Sequence, residues 1–176
     1  MTVTEAAEPA IAEEPPVDAV ATVGAVEDFA SWYRAEHPRM LAALTVAGRD
    51  ADIARAATAD AFARALAAWP RVGATVSPNA WTYRVAVKQL RRRTRFRRIG
   101  ADGAPASIAD KRELWAALGR LSAHERLALA LHGAARLRDD DLAVVMGCSA
   151  NAATRLLDAA HHRLAAASAD LRRNGS

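Results

Sequence analysis

The sequence predicts an all-α protein: two small helical domains joined by a flexible linker, the second containing a helix-turn-helix. Three observations carry this. Alanine fills 46 of the 176 positions, and alanine loses no side-chain entropy on entering a helix. Residues that favour strands never gather into alternating runs, the nearest being RVGATVS at 71–77. The helical pattern breaks once near the middle, at IGADGAPASIAD (99–110), which has two glycines, a proline and no periodicity.

The elements follow in order. Residues 1–28 hold seven acids, no base and no periodic apolar face, so they read as a disordered acidic leader. Its charge also suits it to fold over a basic segment and compete with that segment's partner. Order is expected from about Phe29, where Phe29, Trp32, Tyr33, Met40, Leu41 and Leu44 share a helical stripe, with Pro38 opening a new helix. A long alanine-rich helix then covers 50–69 and ends before Pro70. Residues 71–77 are a loop. Ser77 caps the next helix, with Pro78 at its first position and the basic run at its end. Residues 29–98 thus make the first domain, 99–112 the linker and 113–172 the second domain.

In that second domain Leu114, Trp115, Leu118 and Leu121 form an apolar stripe. Ser122 and Glu125 match a capping box, which starts a helix at Ala123. A short helix from about Asp139 stops at Gly147, turns through Cys148 and restarts with Ser149 as N-cap. Ala143, four residues before Gly147, marks a close helix crossing. This is the order of a helix-turn-helix, whose second helix enters the major groove.

Charge is segregated. Residues 29–98 carry fourteen bases against four acids, a net of +10, whereas 113–176 carry eight bases against seven acids. Of the 24 basic residues 22 are arginine, the side chain suited to bidentate phosphate contacts. The stretch KQLRRRTRFRR (88–98) has seven bases and no acid. At about 100° per residue, Tyr83, Ala86, Val87 and Leu90 fall on one face of this helix. Arg84, Lys88, Arg91, Arg92 and Arg95 fall on another, with Trp81 beside them. One face anchors; for the other, polyanion binding with salt-dependent affinity is expected in preference to a purely solvated face or a membrane-surface role. Trp81 can stack on a base of a single strand or serve as a core anchor.

Other function classes lack their residues. Cys148 is the single cysteine, which excludes an intrachain disulfide or a thiolate metal centre. His37, His124, His132, His161 and His162 show no ligand spacing, so no metal and no cofactor is expected. No nucleophile constellation or glycine-rich phosphate loop is visible, and the chain is not expected to be an enzyme. No apolar run approaches the ~20 residues of a membrane helix, and the acidic start is unlike a signal peptide. Membrane insertion is not expected, and the location is expected to be cytoplasmic.

From Phe29 to Leu164 the chain resembles a bacterial RNA polymerase sigma factor of the extracytoplasmic-function (ECF) class. The first-domain likeness rests on DADIARAATADAFARALAAW followed by SPNAWTYRVAVKQLRRRTRFRR, and the second on LWAALGRLSAHERLALALH and LAVVMGCSANAATRLLDAAHHRL. The resemblance implies a protein that binds core RNA polymerase and directs it to promoter DNA. The first domain would take the polymerase and the unwound minus-ten element; the second would read the minus-thirty-five duplex. Ala54, Asp60, Ala61 and Phe62 match the family's core-binding helix, and the first three are candidate polymerase contacts. Ala56 and Ala59 stand where an acid and a glutamine are usual, and Lys88 replaces a common asparagine. In the recognition helix Asn151, Thr154, Arg155 and His162 are the candidate DNA contacts. Ala153 holds the core position, Leu156 and Ala159 stand where bases are common, and Asp158 opposes phosphate. An anti-sigma or helper protein is a further partner of the class. Two other readings compete: a sigma-derived regulator that binds polymerase or another sigma without reading promoters, and a stand-alone helix-turn-helix regulator.

Overall fold

A computed structural model describes residues 17–96 and 112–174, with side chains from Asp28 onward. Among the described residues every regular element is helical. The acidic leader up to residue 16 and the linker up to residue 111 lie outside them, as do Arg97 and Arg98.

Helix α1 spans Val17–Gly48 without interruption. It therefore starts well before Phe29, inside the stretch expected to be a disordered leader. Pro38, expected to open a new helix, lies within it. Pro38 and Arg34 are both exposed, so the carbonyl deprived of its partner four residues back lies on the solvent side of the helix. Its inward face buries Phe29, Met40, Ala43, Leu44 and Ala47. The helix ends where Arg49 adopts a left-handed conformation, φ 55°, its amide donating to the Thr45 carbonyl at 2.9 Å. Asp50 then caps α2, Ala51–Ala67, accepting from the amides of Asp52 and Ile53.

Helix α2 buries Ile53, Ala54, Ala57, Thr58, Ala61, Phe62 and Ala65. With so many alanines on that face its backbone can approach α1 and α4 closely, and it packs on both. A single turn, α3 (Trp69–Val72), occupies the start of the expected loop, with Pro70 where no amide hydrogen is needed. Helix α4, Pro78–Phe96, opens as the sequence predicts: the Ala80 amide donates to Ser77 Oγ at 3.0 Å. It buries Ala80, Tyr83, Ala86, Val87 and Leu90. The Trp32 indole N–H donates to Asn79 Oδ1 at 2.7 Å, tying α1 to the start of α4.

The second half starts with α5, Arg112–Gly119, whose Trp115 and Leu118 join Leu121 in a small cluster. Helix α6, Ala123–Leu129, runs on into a π-helical turn at Ala130–Ala134. Helices α7 (Asp139–Met146) and α8 (Ala150–Asn174) follow. The halves do not stand apart. α1 packs on α6 and on the π turn, and α4 packs on α7. One continuous cluster of buried side chains runs from Met40 and Leu90 to Leu131, Leu142 and Leu157.

The capping box is present in full. The Glu125 amide donates to Ser122 Oγ, and Glu125 Oε2 accepts from the Ser122 amide at 3.0 Å and hydroxyl at 2.8 Å. Arg163, from α8, adds an ion pair at 2.7 Å. Burial raises the carboxyl's pKa, but the Ser122 bonds and Arg163 together outweigh it and hold it below the usual glutamate range. A carboxyl with a lowered folded pKa contributes stability that is complete above its unfolded pKa. That contribution disappears as pH falls through the folded value. Thermal melts from pH 7 to pH 3 should therefore show a steeper acid loss for the native chain than for Glu125→Gln. Ser122→Ala should cost about 1 kcal/mol at neutral pH, and a melting temperature unchanged in that variant would remove the cap from the account.

Candidate nucleic-acid interface

Helix α4 is built to be held by one face and charged on the other. Arg84, Lys88, Arg91, Arg92 and Arg95 are all exposed, while Tyr83, Ala86, Val87 and Leu90 are buried beneath them. None of these five cations has an acidic partner among the described residues. Like charges one turn apart on a helix cost a few tenths of a kcal/mol per pair, roughly. Burial of a single leucine-sized side chain contributes about 1.5–3 kcal/mol, so the anchored face holds the helix despite the repulsion.

Arg93 leaves the stripe for a different task. Its Nη2 meets Asp60 Oδ2 at 2.6 Å, pinning α4 to α2, with both side chains a little over one-third exposed. At that exposure the pair adds at most about 1 kcal/mol, and its effect is mainly to set orientation. Trp81 is half-buried and packs against the core. It is an anchor with one exposed part, beside the stripe rather than on it.

The three candidate polymerase contacts separate. Ala54 and Ala61 are 0% exposed, so their side chains present no surface to any partner. They are alanine because α2 must lie close to its neighbours. Asp60 alone reaches the surface, and there it holds Arg93.

In the second half, α7 ends at Gly147, which is left-handed at φ 71°. The amides of Gly147 and Cys148 both donate to the Ala143 carbonyl, at 2.9 and 3.1 Å. Ala143 is buried, as expected for the crossing. Ser149 then caps α8, accepting from the Ala152 amide at 3.3 Å. Ala153 and Leu157 face the core, 1% and 7% exposed. Asn151, Thr154, Arg155 and His162 are all exposed, and so is Asp158. Asn151, Arg155 and His162 share a face by helical spacing. The Thr154 hydroxyl bonds back to the Ala150 carbonyl at 3.1 Å.

The stripe meets the second half at a cleft of about 640 Å³, lined by the five cations with Val87 on one side and Val145, Met146 and Gly147 on the other. Sequence reasoning did not foresee this meeting, because α4 and α7 are joined by no local signal. It also missed Arg93, whose place off the stripe was readable from the helical angle.

No family model matches the chain, and no curated protein matches it in sequence. Among solved structures it is similar to the sigma factor RpoE in complex with the anti-sigma factor NepR from Bartonella quintana. That likeness has 23% identity and a TM-score of 0.67, covering 80% of this chain and 96% of the other. It is also similar to CnrH in complex with the cytosolic domain of CnrY, at 20% identity and a TM-score of 0.64, covering 84% and 92% of the two chains. The fold is that of the ECF sigma factors.

The left-handed turn gives a direct test of the α7–α8 geometry. A side chain at Gly147 meets no neighbour within 4 Å, so the cost of Gly147→Ala is conformational alone, about 1–2 kcal/mol. Chemical denaturation should show that loss with an unchanged m-value. A neutral substitution would mean that the turn is not left-handed.

Proposed function

We propose that the chain is an RNA polymerase sigma factor, one that binds core polymerase and directs it to promoter DNA. The observation that carries this reading is the five-cation stripe without acidic partners, held on a fold shared with a sigma factor. A helix keeps that many uncompensated charges on one face when their counter-charge comes from a partner. Phosphates supply it, and arginine suits them.

In this reading Arg84, Lys88, Arg91, Arg92 and Arg95 follow the phosphates at the melted minus-ten element. The exposed part of Trp81 stacks beside an unpaired base. Asn151, Arg155 and His162 on α8, with Thr154 next to them, face the edges of the minus-thirty-five duplex. Asp60 and the exposed residues around it on α2 form the surface offered to polymerase; Ala54 and Ala61 act beneath it as spacers. The protein is not an enzyme and needs no cofactor or metal. Among the described residues no helix is long and apolar enough to cross a membrane, and its place with polymerase is the cytoplasm. An anti-sigma protein is a natural partner, since the sigma factor RpoE of similar fold was solved bound to one.

A second reading has one observation in its favour. Helix α8 offers few cations, with Leu156 and Ala159 where bases are common and Asp158 exposed among the candidate contacts. A sigma-derived regulator that binds polymerase without reading promoters fits that erosion. Mapping RNA 5′ ends made by core polymerase, this protein and genomic fragments separates the two. Discrete starts sharing an upstream sequence establish the sigma factor; binding to core without specific starts establishes the regulator.

Replacing Arg91, Arg92 and Arg95 together by alanine should abolish promoter-directed transcription. The slope of log affinity against log salt should also fall by about 2–3, at roughly 0.7–0.9 per lost phosphate contact. An unchanged slope would remove the stripe from the DNA interface. Residues 1–16 precede α1, which begins at Val17, and their deletion tests whether the acidic leader matters. Start sites should be retained in that variant, at equal or higher yield, when RNA 5′ ends are mapped in the same way.

A further inference from the structure

A second cleft lies where α1, α4 and α6 meet, with a volume of about 450 Å³. Among the described residues its polar lining is Arg91, Thr94 and Arg95 from α4 and His124 and Arg126 from α6, with no acid. The two halves of the chain therefore supply the cations jointly. The floor is apolar, formed in part by Leu90 and Leu127. α1 and α4 lie close here: a side chain at Gly48 would meet Leu90 Cδ1 at 2.9 Å, and Leu90 would have to shift.

The positive charge beside the cleft is unusually poorly compensated. Arg126 is partly buried, yet it has no carboxylate partner among the described residues. Its Nε donates to the Ala47 carbonyl at 3.0 Å, and its Nη1 to the Leu121 and Leu118 carbonyls at 3.1 and 3.3 Å. Nη2 has no such bond. Arg49 lies nearby, stacked over Trp115 at 5.3 Å, its buried Nε without a partner among the described residues. Burial, and then the charge of Arg49, push the Arg126 guanidinium below its ordinary pKa. Carbonyl dipoles at two helix ends stabilise a cation but do not neutralise it, and water screens a partly buried charge poorly.

We propose that this cleft is a binding site for a small polyphosphate anion, held between Arg91 and Arg95 of the first half and His124 and Arg126 of the second. The volume falls within the range of small-molecule pockets, about 300–1,000 Å³. Arg91 and Arg95 offer guanidinium forks that match phosphate oxygens and Arg126 offers its Nη2, and the apolar floor has room for an attached ring. An anion seated there ties α4 to α6 and covers Arg91 and Arg95. On the sigma-factor reading it would compete with promoter phosphates and keep the halves together.

The test uses calorimetric titration of the full chain with inorganic tripolyphosphate at fixed ionic strength, with sulfate as the control anion. One saturable site is expected for tripolyphosphate and none for sulfate. His124→Glu should weaken the site at least tenfold. His124 is exposed and second in α6, where an acid suits the helix dipole, so this variant keeps its fold, and circular dichroism melts check that. His132→Glu, an exposed histidine outside the cleft, should bind as the native chain does. Equal binding to His124→Glu, or equal weakening by both substitutions, would overturn the site and assign the anion to the basic surface at large. Titration with ATP separates the chain from its ring: tighter binding than tripolyphosphate assigns a nucleotide, and equal binding assigns the phosphate chain alone. No polymerase takes part in the titration, so failure here is distinct from failure of the transcription assay.

Discussion

The structure depends on α4 being held by one face only. Tyr83, Ala86, Val87 and Leu90 are enclosed by α1, α2 and the second half, and this burial carries the helix through the repulsion on its other side. The enclosure is possible because α2 turns alanine toward its neighbours. Ala54, Ala57 and Ala61 at 0% exposure are small enough to let the helices approach, while Phe62 and Ile53 fill the remaining space. A larger residue at these alanines would push α4 outward and tilt the stripe. The position of the charges is thus set by uncharged residues one layer below. The Arg93–Asp60 pair adds a rotational stop rather than much stability.

The second constraint is the junction between the halves. Arg126 takes carbonyls from the ends of α1 and α5 into one guanidinium, and Glu125 beside it holds Ser122 and Arg163. Adjacent residues on one turn of α6 therefore fasten α1, α5 and α8. An arginine bound to carbonyls holds the geometry but keeps its full charge, unlike an arginine paired with a carboxylate. Positive charge at this seam is therefore built in by the fastening itself.

Where the sequence carries a local chemical signal, its reading and the structure agree. Ser77–Pro78, the Ser122/Glu125 box and Gly147 each mark an end because a particular hydrogen bond or φ requires that residue type. The stripe on α4 was legible for the same reason: the alternation of charge with Val and Leu has a clear helical angle. Alanine gives no such angle, since it is equally at home in a core and on a surface. The continuous α1, with its early start and internal Pro38, is therefore unreadable, and so is the burial of Ala54 and Ala61, two of the candidate polymerase contacts. The seam was invisible on different grounds. Arg126 meets Ala47 across 79 positions, and nothing local to either residue points to the other.

The charge asymmetry gives these features a common direction. Residues 29–98 carry a net +10 and residues 113–176 a net +1, yet the two surfaces lie on one packed body. Counter-ion release scales with phosphates neutralised, so on the sigma-factor reading most of the grip on promoter DNA would come from the first half. On the same reading the second half would contribute selection, through Asn151, Arg155 and His162, and little grip. α7 lies beside the cationic face, with Val145 and Met146 at the edge of the larger cleft. Arg91 and Arg95 border both clefts, so an anion in the smaller cleft and a polyanion along the stripe would draw on the same two cations.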